Sequence, residues 1–190
     1  IENIGLSAKI IADKMPDIEL VLSGSSSFDL ANKINEPLTG RKWELMLFPL
    51  STQEMIANHG QATENRLLEK RMLYGYYPEV VVKEGQQQAL LKQLASDYLY
   101  KDILIWENIK KPDKLERLVQ AIAFQIGQMV SYHELSKLSG INVATVERYI
   151  NLLEQTFIIY RLGSFNRNLR NELNKSRKIY FNDTGLRNAI

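Results

Sequence analysis

Apolar residues recur at helical spacing through the C-terminal part of this chain, and recognisable start and stop signals bound each run. Leu115, Leu118, Val119, Ile122, Ile126 and Met129 fall three or four apart and form one stripe, the pattern of a helix with a buried face. Gly127 is either tolerated within that helix or loosens its end. Ser131-Tyr132-His133-Glu134 has the order of a capping box, in which hydroxyl and carboxylate satisfy each other's free backbone donors. It opens a short helix with Leu135 and Leu138 turned inward. Gly140 ends that helix, and Asn142 caps the next, which places Val143, Val146, Ile150 and Leu153 on one face. Two short helices joined by a Gly-containing turn form the helix-turn-helix pattern. Phe157-Ile158-Ile159-Tyr160 and Lys178-Ile179-Tyr180-Phe181 then read as two strands. Three helices and a two-stranded wing make a winged helix; a plain helical bundle is the alternative.

The N-terminal part has a different rhythm. Residues 1–15 read as a short helix with Ile4, Ala8 and Ile11 on one face, broken by Pro16. Ile18-Glu19-Leu20-Val21-Leu22 reads as a strand running into Ser23-Gly24-Ser25-Ser26-Ser27. A helix followed by a strand that ends in small polar residues is α/β grammar, and in open α/β sheets such strand ends carry the ligand crevice. Asp29 to Lys33 can form a short helix, Thr39-Gly40-Arg41-Lys42 a turn, and Trp43 to Phe48 a second strand ended by Pro49. From Ser51 the pattern is helical, opening on the capping box Ser51-Thr52-Gln53-Glu54. Gly75-Tyr76-Tyr77-Pro78 breaks the helices, and Gln86 to Trp106 gives a long one with Leu91, Leu94 and Tyr98 on one side. The fold class is mixed α/β, mostly α.

Composition narrows the classes. With 45% hydrophobic and 24% charged residues, the chain has the composition of an ordinary soluble globular protein. No apolar run approaches the ~20 residues that span a bilayer, so no membrane partner is expected. The chain has no cysteine, which excludes disulfides and thiolate metal sites and fits a reducing, cytoplasmic compartment. His59 and His133 are too few and too far apart in sequence to suggest zinc. The chain opens at Ile1 without an initiator Met and stops at Ile190, a few residues after a strand-like run. We therefore expect a portion of a larger intracellular protein.

Net charge is +2, but the charge is clustered. Arg161, Arg167, Arg170, Lys175, Arg177 and Lys178 face the single acid Glu172 between positions 161 and 178. Such a run engages phosphates or simply forms a solvated surface. The second helix of the helix-turn-helix would present Thr145, Arg148 and Asn151 outward, where a DNA reader meets base edges and phosphates. Glu147 opposes this, since it repels phosphate. A packing module inside a larger machine is the competing reading. His133 reads as structural, and Tyr76, Tyr77, Tyr98 and Tyr100 as core or interface. No Ser/His/Asp grouping and no glycine-rich phosphate loop is present, so the residues offer no complete catalytic site.

Several short strings, weak singly, stand in a familiar order. They are Val21-Leu22-Ser23-Gly24-Ser25-Ser26, Leu38-Thr39-Gly40-Arg41, and Phe48-Pro49-Leu50-Ser51 with Glu54. Gly75-Tyr76-Tyr77-Pro78-Glu79-Val80-Val81 follows, then Tyr98-Leu99 with Lys101-Asp102-Ile103, and Lys178-Ile179-Tyr180-Phe181-Asn182-Asp183-Thr184-Gly185-Leu186. Together, over essentially the whole chain, they resemble the uncharacterised prokaryotic AAA+ (P-loop) ATPases that carry a C-terminal domain of unknown function.

The resemblance implies a domain map. Residues 1–50 would be the rear part of an α/β P-loop ATPase core, starting just after the Walker B strand. Residues 51–112 would be a helical lid or linker, 113–182 a winged helix-turn-helix, and 183–190 the start of a further domain. Walker A and Walker B would lie outside this chain, so ATP and magnesium are expected in the intact parent protein and no cofactor on this part alone. Ser23 and Ser25 match the sensor position that orients attacking water, and Arg41 matches an arginine finger reaching a neighbouring subunit of a homo-oligomer. Arg41 as a structural cation in a tight turn is the alternative. The function implied is an ATPase that couples hydrolysis to a winged-helix or C-terminal effector, with DNA as a partner through Arg148, Arg167, Arg170, Lys175, Arg177 and Lys178. A non-enzymatic winged-helix DNA-binding or adaptor protein is the competing class.

Overall fold

The computed structural model describes residues 4–15, 17–24, 43, 45–97, 112–163 and 177–190. The chain divides into two compact units, Ile1–Leu47 and Phe48–Ile190. The described residues are mostly helical, with a small two-stranded sheet. In the first unit, helix α1 spans Ile4–Lys14 and buries Ala8. The run 18–22 and the described residues of 43–48 do not form the strands expected of them. Val21 and Leu47 are almost fully exposed there. The physical reason is pairing: a strand is made by its partner's hydrogen bonds, and no described residue of this unit supplies them. The expected helix at 29–33 and turn at 39–42 lie outside the described residues.

The second unit opens as expected. Glu54 donates its backbone N–H to Ser51 Oγ (3.2 Å), and Ser51 donates its own to Glu54 Oε2 (2.7 Å), completing the capping box of α2, Thr52–His59. Helices α3 (Gln61–Arg66), α4 (Leu68–Tyr74), α5 (Pro78–Val82) and α6 (Gln87–Ser96) follow. Gly75 turns the chain at φ +71° after α4, and Pro78, which lacks an N–H to satisfy, starts α5. The described part of the expected helix from Gln86 is α6, with Leu91 and Ala95 buried; the remainder of that expectation, including Tyr98 and Tyr100, lies outside the described residues.

Helices α7 (Pro112–Phe124), α8 (Tyr132–Ser139) and α9 (Val143–Gln155) carry the main core. Leu115, Leu118, Ile122, Leu135, Val146, Ile150 and Leu153 have no exposed surface. The stripe does not run on to Met129, however. Helix α7 ends at Phe124, Gly127 takes φ +77°, and Met129 is exposed. At the start of α8, Ser131 makes no side-chain cap bond, and Leu138 points outward while Leu135 is buried. Asn142 caps α9 as expected, accepting from the N–H of Thr145 at 2.8 Å.

Strand β1 is Ile159–Leu162 and β2 is Lys178–Phe181, antiparallel, with Ile159 opposite Phe181 and Leu162 opposite Lys178. The first strand begins two residues later than its apolar run suggests. Phe157 sits at φ +57°, a conformation that ends α9 in a turn before extension starts. Asn182 fastens that turn, donating its side-chain N–H to Phe157 O (2.7 Å) and its backbone N–H to Ile158 O (3.0 Å). One further bridge joins Val130, between α7 and α8, to Arg177. The last helix, α10 (Thr184–Ala189), packs on α4 and α6 and adds Leu186 to the same core.

Candidate functional site

The densest polar arrangement among the described residues gathers around Tyr76, in the turn between α4 and α5. Its backbone N–H donates to Asp183 Oδ2 at 2.7 Å, and its carbonyl accepts from the N–H of Leu50 at 3.0 Å. Its hydroxyl donates to Glu64 Oε1 at 2.8 Å and accepts from Thr52 Oγ1 at 3.3 Å. One residue thus ties together the entrance of the second unit, helix α3 and the start of α10. The fit is tight at the backbone. A Cβ on Gly75 would overlap the Asp183 carboxylate, and one on Gly185 would overlap the carbonyl of Tyr74. Glycine at both positions is therefore a packing requirement.

Glu64 is the buried anion of this cluster, 3% exposed. Arg71 Nε lies 3.3 Å from its Oε1 and His59 Nε2 lies 2.8 Å from its Oε2, while the Arg71 guanidinium also sits 5.5 Å from the Tyr76 ring centre. Burial pushes the Glu64 carboxyl up. The hydrogen bonds from Tyr76, His59 and Arg71, with the charge of Arg71, outweigh it and hold the carboxyl below the usual glutamate range. Asp183 goes the other way. Burial raises it, although the N–H groups of Tyr76, Leu186 and Gly185 pull it back. The Asp183 carboxylate also caps α10, accepting from the N–H of Leu186 at 3.0 Å.

Helix α10 is fastened by the carbonyl ends of two other helices. Thr184 donates to Arg71 O (3.2 Å), and Asn188 donates to Met72 O (3.1 Å) and Leu73 O (2.9 Å). Arg187 donates through Nε and Nη2 to Ala123 O, at 3.2 and 3.0 Å. The last carbonyls of a helix have no partner within it, and α10 supplies partners for both α4 and α7. Between Tyr76 and α10 lies a cavity of about 450 Å³, with Phe48, Leu68 and Met72 on its apolar side and Arg71, Asn182 and Asp183 on its polar side.

The residues singled out from the sequence fall elsewhere. Ser23 is exposed in the first unit. Ser25 and Arg41, the other residues implied for nucleotide chemistry, lie outside the described residues, as do Arg167, Arg170 and Lys175. Arg148 is exposed on α9 over the Tyr149 ring, 5.5 Å to its centre, with Glu147 exposed beside it. Lys178 is half-buried at the start of β2, and Arg177 is half-buried just before it. Arg161 is not a free cation. Its guanidinium pairs with Glu154 and reaches Tyr132 Oη at 3.5 Å, and its backbone N–H donates to Glu154 Oε1 at 3.0 Å. Burial lowers its pKa, but the Glu154 carboxylate and Tyr132 more than compensate and raise it. Among the described residues no group of three or more His, Asp or Glu could hold a metal ion, and no helix is long and apolar enough to cross a membrane. The Tyr76 cluster was missed as a site, although Gly75 to Val81 and Asn182 to Leu186 carry two of the family-like strings.

Residues 65–190 match the family model Domain of unknown function DUF8612. The chain belongs to that family. Residues 1–56 match the model of an AAA domain, which relates the N-terminal part to AAA-type ATPases. Both halves of the Tyr76–Asp183 contact therefore lie within the DUF8612 match, while Leu50 and Thr52 lie at the end of the AAA match. An uncharacterized protein of Haemophilus influenzae is 26% identical over 179 residues, covering 89% of this chain and 45% of its own length. An uncharacterized protein of Mycobacterium tuberculosis is 26% identical over 182 residues, covering 94% of this chain and 39% of its own length. The chain thus spans less than half the length of these curated relatives. No solved structure matches it.

Proposed function

We propose that this chain is the rear part of an AAA+-type ATPase joined to a winged-helix DUF8612 effector unit, and that the intact protein couples ATP hydrolysis to movement of that unit. The observation that carries this reading is the order of the two matches, AAA over 1–56 followed by DUF8612 over 65–190. Ser23 and Ser25 would orient water, and Arg41 would act as an arginine finger between subunits of a homo-oligomer. ATP with magnesium would be held by a phosphate loop and acidic strand belonging to the intact protein. The test is hydrolysis by the intact protein. Arg41→Ala should leave nucleotide binding near normal and reduce turnover by ~10³–10⁵, and mixing it with Walker-deficient subunits should restore activity. Unchanged turnover in the Arg41→Ala protein would make the residue a structural cation.

For the effector unit we favour a winged helix over a plain bundle. Helices α7 to α9 are followed by the β1–β2 hairpin, and the Val130–Arg177 bridge adds a third extended residue between α7 and α8, where a winged helix pairs its first strand. DNA binding by this unit is the working hypothesis. The pairing of Arg161 with Glu154 and the exposed Glu147 favour weak, sequence-tolerant contact through the loop between β1 and β2. The same two features fit the second reading, in which the winged helix is a packing module that makes contacts inside the larger ATPase. Absence of duplex binding at low salt would decide for that second reading.

A further inference from the structure

Tyr76 is bonded on three sides to segments far apart in sequence. Leu50 and Thr52 lie on one side, Glu64 on the second and Asp183 on the third. The peptide groups of Tyr76 carry two of these bonds, so the entrance of the second unit and the start of α10 share one rigid residue. The surroundings leave little freedom for gradual adjustment. Gly75 lies against the Asp183 carboxylate and Gly185 against the backbone of Tyr74, and a closely packed joint of this kind shifts between discrete arrangements. On its far side α10 is held by polar bonds to carbonyl groups, through Thr184, Arg187 and Asn188, and by the packing of Leu186 and Ala189 on the core. Of its side chains Leu186 is the large one fully buried. A short helix held this way is easier to release than the α7–α9 core, because opening it exposes one large apolar side chain, Leu186, where opening the core exposes many.

We propose that Tyr76 and Asp183 form a conformational joint, through which the position of residues 50–52 at the entrance of the second unit decides whether α10 is docked or released. The coupling runs through backbone bonds, and it is reciprocal: what loosens α10 also loosens residues 50–52. It does not rest on the ATPase reading and can fail or stand without it.

The test is hydrogen–deuterium exchange in the full-length protein. Asp183→Asn puts an amide N–H opposite the Tyr76 N–H while keeping an oxygen to cap α10. The Leu50 amide, which Asp183 does not touch, should then exchange roughly tenfold faster, the effect of losing about one protected hydrogen bond. In the reverse direction, Thr52→Val combined with Tyr76→Phe should speed exchange at Leu186 and Arg187, while Leu153 in α9 stays protected in both cases. If Asp183→Asn also speeds Leu153, the milder Asn188→Ala decides, since it removes the bonds to Met72 and Leu73 and the one accepted from Arg187 and leaves Asp183 in place. Faster exchange at Leu50 with Leu153 unchanged then supports the joint. Exchange confined to 183–190, with Leu50 unaltered, overturns it.

Discussion

Gly75, at φ +71°, lies so close against the carboxylate of Asp183 that any Cβ on it would overlap both carboxylate oxygens. Gly85 also has a positive φ, +79°, but nothing lies within 4 Å of where a Cβ would stand, while Gly75 combines its φ with ψ −157°. The two glycines therefore differ in what a side chain would meet: a carboxylate at Gly75 and open space at Gly85. Gly85→Ala should cost about 1 kcal/mol, the ordinary penalty of a left-handed alanine. Gly75→Ala carries its own backbone penalty, about 1–3 kcal/mol for a conformation that glycine alone adopts readily, and must also displace Asp183, breaking the bond to Tyr76 and the α10 cap, so its cost should exceed about 3 kcal/mol. Denaturant midpoints of the two variants measure the difference, and equal costs would mean that Asp183 is easily moved.

The two buried acids of this region should respond to pH with opposite signs. Burial raises Glu64, but its hydrogen bonds to Tyr76, His59 and Arg71 leave it lowered overall. Its contribution is therefore present above the usual glutamate range and lost as pH falls through the lower folded value. Asp183 is raised by burial, so its ionised form costs stability at neutral pH, and that cost is relieved as pH falls into the raised range. Glu64→Gln should remove the acid loss and leave the relief. It should also destabilise the protein at neutral pH by about 3 kcal/mol, because the buried Arg71 is left without its anion. Urea unfolding at neutral and acid pH tests this: the variant should lose less stability on acidification than the unaltered protein, and an identical loss would count against Glu64 as the titrating group.

Helix α8 supplies a packing test. Leu135 has no exposed surface, whereas Leu138 is 54% exposed. Leu135→Ala should cost about 2–5 kcal/mol through reduced burial and the cavity left behind. Leu138→Ala should change stability by less than about 0.5 kcal/mol. Thermal melts of the two variants distinguish them, and comparable losses would mean that Leu138 is covered in solution.

How far the sequence could be read follows from where each signal is local. The Ser51–Glu54 box, the Asn142 cap and the Gly140 stop depend on neighbours in sequence, and each appears where expected. Helical periodicity located the cores of α7 and α9 for the same reason. It erred at Met129 and Leu138, where three-residue spacing continued past the surface the core covers. The offset of β1 came from the positive φ of Phe157, which no glycine announced. The expected strands of the first unit failed because a strand is defined by partners rather than by its own residues. The joint around Tyr76 was legible only as two strings 107 positions apart; what brings a turn glycine against a helix cap is tertiary packing, which no local spacing records.

The last prediction concerns nucleic acid, and the structure changes which charges should matter. Among the six basic residues between 161 and 178, Arg161 is held by Glu154 and Tyr132, so its charge is already compensated. Phosphate binding by cations releases counterions, and affinity therefore falls linearly on a logarithmic salt scale with a slope set by the number of cations engaged. Replacing Arg167, Arg170 and Lys175 together by alanine should weaken binding equally for every duplex and flatten that slope by about one unit for each phosphate left unneutralised. Arg161→Gln should leave the slope unchanged and instead lower the melting temperature, since it frees Glu154 and detaches β1 from α9. Arg148→Ala should have an intermediate effect on affinity, because Glu147 beside it opposes approach to the phosphate backbone. Fluorescence anisotropy with short duplexes across a salt series separates the three. A slope that drops for Arg161→Gln as much as for the triple variant would show that its pairing with Glu154 opens on DNA, and selective loss of one sequence with Arg148→Ala would make α9 a base reader instead.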